Sequence, residues 1–453
     1  MKHDLCVRNA KIVTADTLFD GELYVKEGKV AAVTAPGAAL EAEKVVDAQG
    51  SYLLPGVIDP HLHGGHGTPD RETFVCAGMA AAAGGITTVL EQPLSNPSTV
   101  TVQAFLEKKR EADQSFVVDF GLWGGLVPGH LDEMEEIFRL GGGAFKSFMC
   151  RCSNYPSTND GILLEGMRKL AAIGGLSAVH AENDTLIQEL ADRFQAQGRT
   201  DARAFLDSHP PYSELEAVLR YIFLARQAPG CKAHVVHCSL PEGVEAVHKA
   251  QEEGVDVTVE TCPQYLGLCE DDLLALGGVA KCDPPVRPRE TVERLWECVK
   301  AGKVDMLASD HSPHPFDRKV VDRDNFPHAA EGVTGLQTML PVILTEGVVK
   351  RGLGLTDVVR MMCRNPAKRF GLYGRKGALE PGFDADFILV DMEKRWVCQA
   401  EKMHYLNKHT PFHGRTFQGS VEETYVRGRL VCKDNRILVK PGFGRYCPME
   451  MSR

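Results

Sequence analysis

From about residue 53 to residue 310 the chain repeats one pattern: a short apolar run, then a longer stretch with helical spacing. The runs are LLPGVID, ITTVLEQ, FVVDFGLWG, GAFKSFM, LSAVHAE, KAHVVHC, VDVTVET and VDMLASD. Between them stand RETFVCAGMAAAAG, LDEMEEIFRL, ILLEGMRKLAAIG, SELEAVLRYIFLARQ and PEGVEAVHKAQEEG, whose apolar residues recur three and four positions apart. A parallel strand buried on both faces reads as a continuous apolar run, and it needs a crossover to reach the next parallel strand. Eight such strands separated by helices predict an α/β fold closed into a TIM (β/α)8 barrel.

The two ends read differently. Residues 1–54 alternate apolar and polar, as in ELYVKEGKVAAV, with Glu27-Gly28 as a hairpin turn. Near the C-terminus, DADFILVDM and VEETYVRGRLVCKDNRILV read as strands, with Asp434-Asn435 as a turn. The ends are therefore expected to form the halves of one small β-sandwich. The division is 1–54 for its first part, 55–372 for the barrel, and 373–453 for its second part and a C-terminal tail. PGAALEAEK is the only loose-looking segment near the front, and there are no internal repeats or low-complexity linkers.

Active sites of such barrels form at the C-terminal ends of the strands. The informative question is which polar residues end the eight runs. The first runs into GVIDPHLHGG, where His61 and His63 are two residues apart and share one face of a strand. The fourth run carries Lys146, the fifth ends at His180, the sixth at His237 and the eighth at Asp310. Each alone has an ordinary reading: a histidine satisfied by backbone or water, a lysine in an ion pair, an aspartate capping a turn. Metal-compatible groups from five strands aimed at one mouth make those readings jointly improbable. Four imidazoles and a carboxylate suit zinc or a similar divalent ion. Two ions need a bridge, and no second carboxylate is expected to end a suitable strand. Lys146 supplies a bridge if its neutral amine adds CO2 to become an anionic carbamate, and burial favours the neutral amine.

Charge and composition narrow the partners. With 51 basic and 61 acidic residues the net charge is −10, which argues against nucleic acid or an anionic membrane surface. No apolar run reaches the ~18 residues that cross a bilayer, and MKHDLCVRNA lacks the apolar core of a signal peptide. The 14 cysteines form no Cys-x-x-Cys pair. They read as reduced, mostly buried residues of a cytoplasmic protein, Cys150 and Cys152 included.

These residues resemble the binuclear amidohydrolase superfamily, specifically the cyclic amidohydrolases: allantoinase, dihydropyrimidinase (hydantoinase) and dihydroorotase. The resemblance runs from VVDAQGSYLLPGVIDPHLH to GALEPGFDADFILVD and VEETYVRGRLV. It implies that His61 and His63 hold one metal with Asp310, that His180 and His237 hold the other, and that Lys146, as N6-carboxylysine, bridges them. The implied cofactors are two divalent ions, zinc first among the candidates. The implied reaction is hydrolytic ring opening of a small cyclic amide, with Asp310 as proton carrier. HVVHCSLPEGVE, AKCDPPVR, LASDHSPHP and the Ser208-His209-Pro210-Pro211 stretch look most like allantoinase, which opens allantoin to allantoate. HAENDTLI and ETCPQYL look as much like dihydropyrimidinase or D-hydantoinase. Dihydroorotase follows these, and a scaffold protein that keeps the fold without the activity is the reading from another class. A homo-oligomer, tetramer or dimer, is implied as well.

Several positions depart from the relatives. GGHGTPDRETF lacks the acidic-Pro-Gly loop of allantoinases, and Gly65 stands where dihydroorotases carry an arginine. Asp283 replaces a Ser or Asn, Arg151 stands where hydantoinases place a substrate-contacting Tyr, and Glu331 falls in a loop position usually uncharged. Together with His314, four residues after Asp310, these are the candidate substrate contacts. Two added acids and a missing arginine predict a mouth that disfavours an anionic ring substituent. Arg151 is the one residue expected to reverse that, by turning inward.

Overall fold

Described for residues 2–152 and 155–451 by a computed structural model, the eight apolar runs become eight parallel strands in chain order. Val57–Leu62, Ile86–Glu91 and Asp119–Leu122 pair side by side. Past Trp123 the third strand continues as Gly124–Gly125, which pairs with Ala144–Phe148. Leu176–His180, Lys232–Val235, Val257–Thr261 and Met306–Leu307 follow as parallel neighbours. Every residue of the first five strands is buried, which is why the sequence there shows no alternation.

The eighth strand is only two residues long, so backbone pairing alone does not close the barrel. The Asp59 side chain and an isolated backbone bridge complete the seam. Asp59, buried in the first strand, accepts from Ser309 N at 2.8 Å and from Ser309 Oγ at 2.6 Å. His63 N donates to His311 O at 2.9 Å. Burial pushes the Asp59 carboxyl up to about 7 in spite of the Ser309 hydrogen bonds. Asp59, His61 and His63 alternate along one strand and share a face, so one face both seals the barrel and arms its mouth.

Strands from the two ends join in one nine-stranded sheet. Tyr52–Pro55 lies between His3–Val13, its parallel partner, and Phe387–Val397, its antiparallel partner. Both expected hairpin turns are present. Glu27 (φ 51°) and Gly28 (φ 77°) join Leu18–Lys26 to Lys29–Thr34, and Asp434 (φ 48°) and Asn435 (φ 63°) join Arg429–Lys433 to Arg436–Ile437. Positive φ at both central residues matches the twist of the flanking strands. PGAALEAEK is an exposed connection that leads into the strand Ala42–Asp47.

The run LLPGVID holds parts of two elements, because the chain passes from the terminal sheet to the barrel at Gly56. A Cβ on Gly56 would stand 2.1 Å from Thr87 Oγ1 on the second barrel strand, so only glycine permits that passage. The two sheets are also tied at the end of the barrel opposite the mouth. There the buried Lys376 ammonium lies 2.7 Å from Asp386 Oδ2 and 2.9 Å from Asp384 Oδ2 and also bonds Asp119, at the start of the third strand. Asp119, Asp384 and Asp386 are close enough together to hold a metal ion, but a lysine already fills the space. Among the described residues no helix is long and apolar enough to cross a membrane.

Candidate active site

All six of the residues expected to be ligands converge at the C-terminal ends of their strands. Asp310 Oδ1 is 3.3 Å from His61 Nε2 and 3.4 Å from His63 Nε2. Across the barrel axis His180 Nδ1 faces His237 Nε2 at 3.0 Å. The His61 and His237 rings, 5.4 Å apart at their centroids, join the two groups. His237 (φ 39°) and Asp310 (φ 46°) both adopt left-handed backbone, rare for residues with a Cβ. Such strain costs roughly 1–3 kcal/mol and persists where surrounding structure enforces it, as at functional strand ends.

The donor set fits divalent cations. His61 Nε2, His237 Nδ1 and the Lys146 ammonium nitrogen are buried without a hydrogen-bond partner. Two imidazole nitrogens 3.0 Å apart repel unless a proton or a cation lies between them, and that spacing is close to the ligand–ligand edge of a tetrahedral zinc site. Burial holds His61 and His237 well below the ordinary imidazole range, with the Lys146 charge adding to it, and brings His63 to about 4. All three therefore present lone pairs at neutral pH. Burial also brings Lys146 down to about 8, which leaves a sizeable fraction of the neutral amine that carbamate formation needs.

Carboxylates fix the imidazoles from behind. Glu182 Oε2 is 2.8 Å from His180 Nε2, which leaves Nδ1 to face the site. Glu260 Oε1 is 2.6 Å from His61 Nδ1, and Glu260 also receives the His237 backbone N–H at 3.2 Å. Such partners orient metal-binding histidines and raise their basicity. Glu260 corrects the expectation that no second carboxylate ends a suitable strand, because it lies near the end of the seventh, Val257–Thr261. Its oxygens are engaged by His61, His237 and His234, so it supports the ligands without bridging metals. The signal was visible in VDVTVET; its partner, 199 residues away, was not.

The candidate substrate contacts divide. Arg151 faces outward, with its side chain 68% exposed and its Nε 3.1 Å from Asp184 Oδ2. It does not join the metal-binding group. Asp283 and Glu331 lie close enough for each to act on the other, and Asp283 Oδ1 is buried without a hydrogen-bond partner. Burial and the nearby Glu331 and Glu182 charges hold Asp283 well above its usual range. Glu331 stays below its own range because Lys281, 3.1 Å away, and Asp283 outweigh burial. His209 Nε2 stands 3.9 Å from Asp283 Oδ1. His314 is partly buried with an unpartnered Nδ1, and burial together with Arg71 pushes it down to about 2, so its ring is neutral. Arg71 was not among the expected contacts, since nothing in TPDRETF marks it. Its Nε donates to Pro313 O at 3.1 Å and its Nη2 to Ser312 Oγ at 2.9 Å, two residues after Asp310.

Known proteins resemble this chain over nearly its whole length. Residues 52–431 match the Amidohydrolase family. An L-hydantoinase of Paenarthrobacter aurescens is 40% identical over 451 residues, spanning 98% of this chain and 97% of its own. An allantoinase of Rubrobacter xylanophilus is 42% identical over 451 residues, with the same two coverages. Among solved structures, the L-hydantoinase (dihydropyrimidinase) from Arthrobacter aurescens superposes with a TM-score of 0.95 at 40% identity, covering 98% of this chain and 99% of that one. A dihydropyrimidinase from Brevibacillus agri gives 0.92 at 30% identity, covering 99% of each.

Proposed function

Because the chain belongs to the amidohydrolase family and is a hydrolase of cyclic amides, we propose that it opens a cyclic ureide, allantoin to allantoate, with two metal ions held at the barrel mouth. The observation that carries this is Lys146: a fully buried amine with no hydrogen-bond partner, close enough to His61, His63, His237 and Asp310 for their charges to act on one another. In this reading His61, His63 and Asp310 would hold one ion, His180 and His237 the other, and Lys146, as N6-carboxylysine, would serve both. Zinc as the metal, a homotetramer or homodimer, and a cytoplasmic location belong to the same reading. When bound, the pair of cations supplies a hydroxide nucleophile at neutral pH and polarises the amide carbonyl.

The chain's own groups do the rest. Asp310, reached by both imidazoles of the first group, accepts the nucleophile's proton and delivers it to the departing ring nitrogen, as base and then acid. Glu260 and Glu182 keep His61 and His180 in the tautomers that aim Nε2 and Nδ1 inward. The loops carrying Asp283 and Glu331 read the ring.

Hydantoinase-type ring opening is the second reading, favoured by the L-hydantoinase similarity at 40% identity. Measuring kcat/KM of metal-loaded protein on allantoin, hydantoin and dihydrouracil separates the two. Allantoin is expected to lead. Hydantoin or dihydrouracil ahead of allantoin by tenfold would replace the first reading with the second.

A further inference from the structure

Gly65 carries no arginine for a physical reason. Its φ is +83°, and a Cβ there would stand 2.2 Å from the Glu72 carbonyl oxygen. The turn that excludes a side chain at 65 returns the chain past His63 with Arg71 on it. Asn407 Nδ2 holds the backbone in place, donating to Asp70 O at 3.0 Å and Arg71 O at 2.6 Å. Ser312 and Pro313 hold the guanidinium by Nη2 and Nε, which leaves Nη1 and the second Nη2 hydrogen without a partner among the described residues. The charge lies close enough to His63 and His314 to oppose protonation of either.

This cation has no carboxylate of its own among the described residues. The carboxylates whose charges act on it, Asp70 and Glu91, are committed elsewhere. Asp70 Oδ2 is 3.1 Å from Arg318, and Glu91 is 3.0 Å from Lys108 and accepts from Gly64 N at 2.7 Å. The acids expected to repel an anion are muted too: Glu331 pairs with Lys281 at 3.1 Å, and burial with the Glu331 charge holds the Asp283 carboxyl well above its usual range. Arg151 is turned out to Asp184. Among the described residues the His63 side of the mouth thus keeps a partly buried guanidinium with no salt-bridge partner, opposite in sign to the sequence expectation. Pro313 O and Ser312 Oγ are neutral acceptors that leave the positive charge unmatched, and the open Nη1–Nη2 edge has the fork geometry that grips a carboxylate.

We propose that Arg71 anchors a carboxylate on the ring substituent of the substrate, so that the enzyme prefers cyclic ureides with an acidic side group over their neutral isosteres. The proposal rests on the ring-opening reading above and names the substituent that this site selects. A charge-assisted pair of hydrogen bonds corresponds to a preference of about tenfold to a hundredfold.

The test compares racemic hydantoin-5-acetate with its amide, 5-(carbamoylmethyl)hydantoin, which has the same shape and no charge. Wild-type kcat/KM is expected to favour the acid by tenfold or more, mainly through KM. Arg71→Gln brings the ratio to about one, Arg71→Lys keeps part of it, and Ser312→Ala, which retains the charge, keeps it above one. A wild-type ratio at or below one overturns the proposal. So does an Arg71→Gln variant that slows both compounds equally, since that marks a purely structural arginine. If allantoin, hydantoin and dihydrouracil are all left intact by metal-loaded enzyme, the ring-opening reading itself fails and takes the proposal with it. If they are opened but the acid is not preferred, only the proposal fails.

Discussion

Lys146 meets no hydrogen-bond acceptor, although a buried amine normally has several within reach. Lys146→Ala is expected to lose most bound metal by elemental analysis and most activity, and short carboxylic acids added in millimolar amounts should restore part of both. Full metal occupancy and normal rates in that variant would remove the bridging role. Asp310→Asn keeps the shape but cannot carry a proton, so kcat should fall by about 10²–10⁴ with little change in folding; a near-normal kcat on a good substrate would exclude the proposed proton path. The six candidate ligands were legible because each is a polar group within or at the end of an apolar run, where burial makes it costly unless it has a task. Glu260, Glu182 and Arg71 were not legible in the same way. Their work depends on contacts made by folding, such as Arg71 with Ser312, 241 residues away. Arg151 was legible as a position, but its direction is decided by Asp184, a residue of no evident interest in the sequence.

The barrel strands were readable because burial on both faces leaves an unbroken apolar run, and each of the eight runs overlaps a barrel strand. The same property hid the junction in LLPGVID, since an apolar run does not say whether a strand continues or changes sheets. Gly56 was the only mark of it. Gly56→Ala drives a methyl into Thr87 and should cost about 1–3 kcal/mol, read as a lower denaturant midpoint with unchanged slope. Adding Thr87→Ala removes Oγ1 and Cγ2, two of the three atoms in the way, and should recover part of that loss; a midpoint unmoved by Gly56→Ala would show that the crossing is loosely packed. Helices were less legible than strands. Val102–Ser115, passed over in the sequence, is capped by the Thr101 side chain but buries only Ala104, Phe105, Lys108 and Ala112, so its apolar stripe is thin.

For the molecule as a whole, the mouth and the opposite end of the barrel divide chemistry from stability. Lys376 sits at the far end, where Asp119 of the barrel meets Asp384 and Asp386 of the segment that enters the terminal sheet. Burial alone would depress its pKa, yet the surrounding carboxylates hold it above the ordinary lysine value, so the ammonium is retained throughout the neutral range. Removing the positive partner from a buried ionic group costs more than the group contributes intact, because the remaining charges keep their desolvation penalty. Lys376→Met leaves three acids facing one another, with Arg427 and the Arg445 backbone N–H still on Asp119 and Lys29 still on Asp384. The expected loss is about 3–5 kcal/mol in unfolding free energy, with kcat of the metal-loaded protein unchanged at temperatures where it stays folded. Lys376→Met combined with Asp386→Asn, which removes one of those charges, should recover part of the loss. A variant that is fully stable but inactive would place Lys376 in the chemistry and break the division between the two ends of the barrel.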